Sequence, residues 1–207
     1  MSETSTNIGS IVAGFQADAS ELGQISNQLD KSGGAEGDLH YALRATKNAQ
    51  DNVISAQKRE DLADVREPVD PAEARMLREQ AAGLRTQAAG EILRAGDLAT
   101  GFVRVANLCG DNAKQAGERV RSRMQGSSLA IGVTAVAACM ALPGSIGKAQ
   151  QTAQEGVNTL PNSDSPPSAF EEPMSRFDEA MHDARDAQLI ARAAATLTDE
   201  LAAQIPQ

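Results

Sequence analysis

Asp70-Pro71-Ala72-Glu73 is the stretch that most constrains this chain, because it spells out a helix start. An aspartate can cap the first turn, and proline loses nothing at the first helical position, where its missing N–H would have no partner anyway. A glutamate three places after the cap can reach back to it. From there to about Met124 the apolar residues recur every seven. Leu77, Leu84, Leu98 and Val105 form one set, and Ala81, Ala88, Ala95, Phe102, Cys109 and Ala116 the other. Two such sets make a continuous stripe for a partner helix. The spacing predicts one helix over 70–124, about 80 Å long at ~1.5 Å per residue. Leu77, Leu84, Leu98, Phe102 and Val105 are its candidate interaction seam.

Glu91, Asn112 and Arg119 interrupt the first set, and Ile92, Ala113 and Val120 stand one place on from them. The stripe therefore drifts as on a straight helix, which favours a bundle over a rod-like supercoil. Gly83, Gly90, Gly96, Gly101, Gly110 and Gly117 lie inside the span. Each costs roughly 1 kcal/mol relative to alanine. Either close packing offsets those losses or the helix bends, most readily around Gly96 to Gly101.

The fold class that follows is all-α: an elongated antiparallel helical bundle with coiled-coil-like packing, a long central helix and a tethered C-terminal helix. Aromatic residues make up 2 % of the 207 residues and tryptophan is absent, so alanine must line the helix contacts. The net charge of −9 excludes general nucleic-acid binding. Residues 70–124 carry nine Lys/Arg against seven Asp/Glu, whereas residues 169–207 carry three against eight. An acidic terminal helix lying on the basic central one is the simplest complementary arrangement.

Before the long helix, Ser5 or Thr6 can cap a first helix running to about residue 31, with Ile8, Ile11, Phe15, Leu22, Ile25 and Leu29 on one face. Gly33-Gly34 ends it. Asp38 can cap a second helix to about residue 63, whose face of Leu39, Ala42, Ala45, Ala49, Val53 and Ala56 is much smaller. Large residues facing a flat alanine surface suggest an antiparallel hairpin over 5–63. Glu67-Pro68 stops the second helix.

No charge occurs between Arg123 and Lys148. The apolar run 128–142 has the length of a buried helix, short of the ~20 residues of a membrane span, and Pro143 to Gly147 reads as its helix-breaking flank. Membrane insertion of 128–147 is the alternative, with Arg119, Arg121 and Arg123 on the cytoplasmic side. The domain organisation is thus a bundle over 1–148, a linker over 149–168 that is polar and proline-rich, and an amphipathic helix over 169–207. That helix is expected to fold back onto the bundle or dock elsewhere, with Phe177, Met181, Ile190, Leu197 and Leu201 as the candidate docking face. Ser168 and Glu171 make a second capping pattern, and Pro173 is expected to delay its start.

Chemistry-bearing residues are sparse. His40 and His182 fall on different helices, and Cys109 and Cys139 stand singly as buried thiols. Gly144-Ser145-Ile146-Gly147-Lys148 lacks both the first glycine and the final Ser/Thr of a phosphate-binding loop, and reads as a turn ending the apolar helix. The acidic groups Asp61/Asp64, Glu171/Glu172 and Asp178/Glu179/Asp183 read as solvated helix faces. No catalytic residue, cofactor-binding residue or metal ligand is assigned, and the expected function is non-enzymatic. Its partners are expected to be proteins, either a second copy or another helical protein, with a membrane as the alternative. Residues 1–10 carry no basic residue and no apolar run, so the expected location is cytoplasmic, with export by a specialised route or membrane association as alternatives.

Two resemblances accompany this reading. The N-terminal pair of helices resembles the small helical-hairpin proteins of type VII secretion, although Ser32-Gly33-Gly34-Ala35 stands where that family has Trp-x-Gly. One uncharged apolar run between coiled-coil-like segments is similar in plan to the smaller type III secretion translocators. Both resemblances imply a secreted helical protein.

Overall fold

In the computed structural model, residues 2–125 and 130–205 are described, with side chains from residue 8 onward. The chain is all-α. Among the described residues five helices follow in order: α1 (Ser2–Gly33), α2 (Asp38–Arg66), α3 (Pro71–Arg123), α4 (Ala130–Asn158) and α5 (Glu171–Gln204), with a 3-10 turn at Pro167–Phe170. The start of the apolar helix expected at residue 128 lies outside the described residues.

α3 is one unbroken helix, and its start is the one the sequence spells out. The Asp70 carboxylate accepts hydrogen bonds from the backbone N–H groups of Ala72 at 3.1 Å and Glu73 at 3.0 Å. Glu73 does not close the box; its carboxylate pairs with Arg66 at 3.5 Å instead. Elsewhere the expected caps do not form. α1 already begins at Ser2, so Ser5 and Thr6 lie within it. α2 is preceded by Gly37 with no side-chain cap, Asp38 being its first residue.

α1 and α2 do not form the expected hairpin. They scarcely touch and instead lie end to end along α3, both antiparallel to it. Asp18 of α1 meets Arg119 and Arg123, a Cβ at Gly33 would lie against Phe102, and one at Gly101 against Asp38. Farther along α2, Glu60 binds Arg85, and Asp64 binds Arg78. Side-chain volume explains the arrangement. Ala42, Ala49, Ala56 and Ala63 of α2, seven apart and fully buried, face the equally buried alanines 74, 81, 88 and 95 of α3. Small faces small, so these two helices close tightly into an arm, on which only Phe170 adds a bulky side chain. The bulky face of α1, with Phe15, Leu22, Ile25 and Leu29, needs a deeper core.

That core is a four-helix bundle formed by α1, the second half of α3, α4 and α5. α1 packs on α3 and α5, and α4 packs on the same two, which leaves α3 and α5 at opposite corners. The acidic C-terminal helix therefore does not lie along the basic one as its charge suggested. The buried positions keep seven-residue spacing throughout: Cys139, Ile146 and Ala153 in α4, and Phe177, Ala184 and Ala191 beside Ala180, Ala187 and Ala194 in α5. α4 runs through Pro143 instead of ending there. Pro143 withholds an N–H from the Cys139 carbonyl four residues back. That carbonyl faces α3 at Gly117, where a Cβ would come within 3.2 Å of its oxygen.

The expected linker over 149–168 is mostly structured and is no tether. α4 continues to Asn158, and the remaining connection is pinned to the arm. Arg85 Nη1 donates to the Ser163 carbonyl at 2.7 Å, and Gln50 Nε2 to that of Pro167 at 2.9 Å. Asn162 Oδ1 accepts from the Asp164 N–H at 2.9 Å, and Phe170 is buried with Ala49, Val53 and Ala88. α5 starts directly after Phe170 with no side-chain cap, and takes Pro173 into its first turn without delay.

Candidate interaction surfaces

The seam residues divide between core and margin. Phe102 is fully buried and Leu77 nearly so, whereas Leu84, Leu98 and Val105 are half-buried. The centre of the contact is the alanine set, continued by Ala99, Ala106, Ala113 and Val120, which follow the one-place shift at Ile92. Leu98 and Val105 flank the core of the four-helix bundle. Phe102 and Leu77 thus serve the packing of the chain itself, and Leu84, Leu98 and Val105 stay partly exposed at its margin.

The face of α5 picked out as a docking surface is likewise largely covered. Phe177 and Leu201 are fully buried, and Met181 and Ile190 pack at the edge of the same core, with Leu197 half-buried. α5 has folded back onto the body, on α1 and α4.

α4 differs from every other helix in what it leaves outside. Its inner face is buried through Ala135, Cys139, Leu142, Ile146 and Ala149. On the opposite face Ala130, Val133, Ala137, Met140 and Gly144 are exposed, Val133 to 66 % and Met140 to 47 %. The most apolar 18-residue window of this helix has a mean hydropathy of 1.7, with only 28 % of it buried. Length and composition would allow α4 to cross a membrane. A second apolar patch, Leu62, Val65, Val69 and Met76, marks the tip of the arm.

Polar side chains are engaged in holding helices together. Asp18, 2 % exposed, accepts from Arg119 Nε at 2.7 Å and pairs with Arg123; Arg119 also pairs with Glu21. Lys148 Nζ lies 2.7 Å from the buried Asp183, which also accepts from Thr152 Oγ1 at 3.1 Å. The segment from Gly144 to Lys148 is helical, so it forms neither the turn expected there nor a phosphate-binding loop. His40 stacks edge-on to Tyr41, and exposed His182 lies 3.9 Å from Asp178. Burial pushes the Cys109 thiol up to about 11 and raises Cys139 as well. Among the described residues no group of three or more His, Cys, Asp or Glu side chains is placed to hold a metal ion.

Two of the pockets among the described residues lie between helices and gather charged side chains. One of about 390 Å³ sits where the end of α1 meets α5, lined by Asp30, Gly33, Asp178, Met181, His182 and Arg185. The other, about 260 Å³ between α2 and α3, is lined by Tyr41, Arg44, Asn48, Glu91 and Arg94. Glu91 Oε2 in the second is buried without a hydrogen-bond partner. Neither brings together a nucleophile, a base and an anion hole. No family model, curated protein or solved structure matches the chain.

Proposed function

We propose that this protein is a non-enzymatic helical interaction protein and that the outer face of α4 is the surface through which it acts. The observation that carries this reading is a helix apolar on both faces, with one face buried and the other open. Soluble chains seldom leave such a face uncovered without a binding role. The salt bridges of the body join its own helices, which suits a scaffold. In this reading the five helices serve to present one apolar surface.

A second reading rests on the same helix. Its hydropathy and charge-free length suit hydrocarbon, so α4 would insert into a bilayer after leaving the bundle. Release would require breaking the Lys148–Asp183 pair and exposing Cys139, Leu142 and Ile146. Membrane association or export would follow from this reading, and a cytoplasmic location from the first.

Light scattering and vesicle flotation of the full chain, beside a Val133→Asp/Met140→Asp variant, test the proposal. Association of the wild type in either assay, lost in the variant, supports α4 as the working surface. A wild type that stays monomeric and free of vesicles, or a variant that behaves identically, contradicts it.

A further inference from the structure

The open face of α4 carries a pattern as well as hydrophobicity. Ala130, Val133, Ala137, Met140 and Gly144 are spaced three, four, three and four apart, with exposed Thr134 and Ala141 beside them, a spacing that a partner helix can use. The inner face has the same spacing at Ala135, Cys139, Leu142, Ile146 and Ala149, where α3 and α5 fill it. α4 is thus a helix with two seams on opposite sides, one occupied and one empty.

We infer that the empty seam is covered by the same seam of a second copy of this chain, α4 against α4. This rests on the reading of α4 as the interaction surface and names its partner. Two observations select the occupant. The side chains are small, with Ala130, Ala137 and Gly144 at the seven-residue positions and no aromatic residue. A helix lying in a bilayer interface needs bulky anchors, whereas small residues let two helix backbones approach closely. The arm of this protein already joins two helices in that way, through Ala42, Ala49, Ala56 and Ala63 against the alanines of α3.

Charge points the same way. Two copies at net −9 repel each other over most of their surfaces. Between Arg123 and Lys148 there is no charge, so α4 can meet its own copy without opposing like charges. Two heptads of one helix bury less than the ~800 Å² per partner of a standard interface. The dimer is therefore weak and forms in a concentration-dependent way.

Sedimentation velocity of the full chain across a concentration series tests this, with Ala137→Glu as the variant. Ala137 is exposed, so the substitution leaves helicity and the thermal midpoint unchanged while placing a charge in the centre of the seam. The wild type is expected to shift from monomer to dimer with concentration, and Ala137→Glu to weaken that dimer by at least about tenfold. A wild type that is monomeric throughout, or a variant that dimerises equally well, overturns the inference. Vesicle flotation of the same two proteins separates the two levels. A monomeric wild type whose vesicle binding is lost in Ala137→Glu refutes the second copy and keeps α4 as the surface. Indifference in both assays refutes both.

Discussion

Asp18 and Arg119 stand 101 residues apart in the chain, yet the Asp18 carboxylate accepts from Arg119 Nε at 2.7 Å in the contact between α1 and α3. Arg123, one turn on, binds the other carboxylate oxygen. This buried acid between two arginines fixes where α1 sits along α3. Asp18→Asn keeps the shape and removes the charge, leaving two partly exposed arginines with weakened partners. The expected loss is about 2 kcal/mol, read as a lower urea midpoint at unchanged slope.

The glycines of α3 separate into two kinds. A Cβ at Gly83 or Gly90 would meet nothing within 4 Å, whereas one at Gly117 would press on the Cys139 carbonyl. Gly83→Ala and Gly90→Ala should each stabilise the protein by up to about 1 kcal/mol. Gly117→Ala should gain less or destabilise, because α3 and α4 would have to move apart. Thermal melts of the three variants check the order.

Both thiols are buried, with Cys109 pushed up to about 11 and Cys139 raised, in each case chiefly by desolvation. A thiol reagent at pH 8 should leave both unmodified in the folded protein and label both in denaturant. Rapid labelling of Cys139 under native conditions would show α4 leaving the bundle, as bilayer insertion requires.

The arm has a mild pH dependence of known sign. Hydrogen bonds from Arg85 hold Glu60 below its ordinary 4.5. The folded state thus binds this proton less readily than the unfolded chain. The contribution is complete above about 4.5 and is lost as pH falls through the lower folded value. Because the pair is partly exposed, Glu60→Gln should cost less than about 1 kcal/mol at pH 7. The cost should vanish in acid, as denaturation of wild type and variant at both pH values would show.

Helix positions were legible where the signal is local. The Asp70 cap, the Glu67-Pro68 stop and the drift of the α3 stripe all appear as the residues indicate. Partner choice was not. Large residues opposite a flat alanine face suggested that α1 pairs with α2, but like volumes pair instead: the alanine face of α2 meets the alanine face that α3 supplies. In α5 the bulky residues drew attention, while Ala180, Ala187 and Ala194, which repeat as strictly, lie at the centre of the contact. The segment after Lys148 looked like a linker because its polar composition hides what fixes it, including Arg85 on Ser163 and Phe170 on the arm. Such contacts are nonlocal and leave no local pattern. The outer seam of α4 was read as one uncharged run, and only burial of the inner face resolves it into two.

Cross-linking at that outer seam tests the central claim most directly. In the full chain, Ala137→Cys supplies an exposed thiol while Cys109 and Cys139 stay buried, and Leu93→Cys supplies an exposed control on α3. With a short bismaleimide, Ala137→Cys is expected to form a covalent dimer with yield rising with concentration, and Leu93→Cys to remain monomeric. Equal yields from the two positions, or no dimer from either, would contradict α4 as the surface on which a second copy docks.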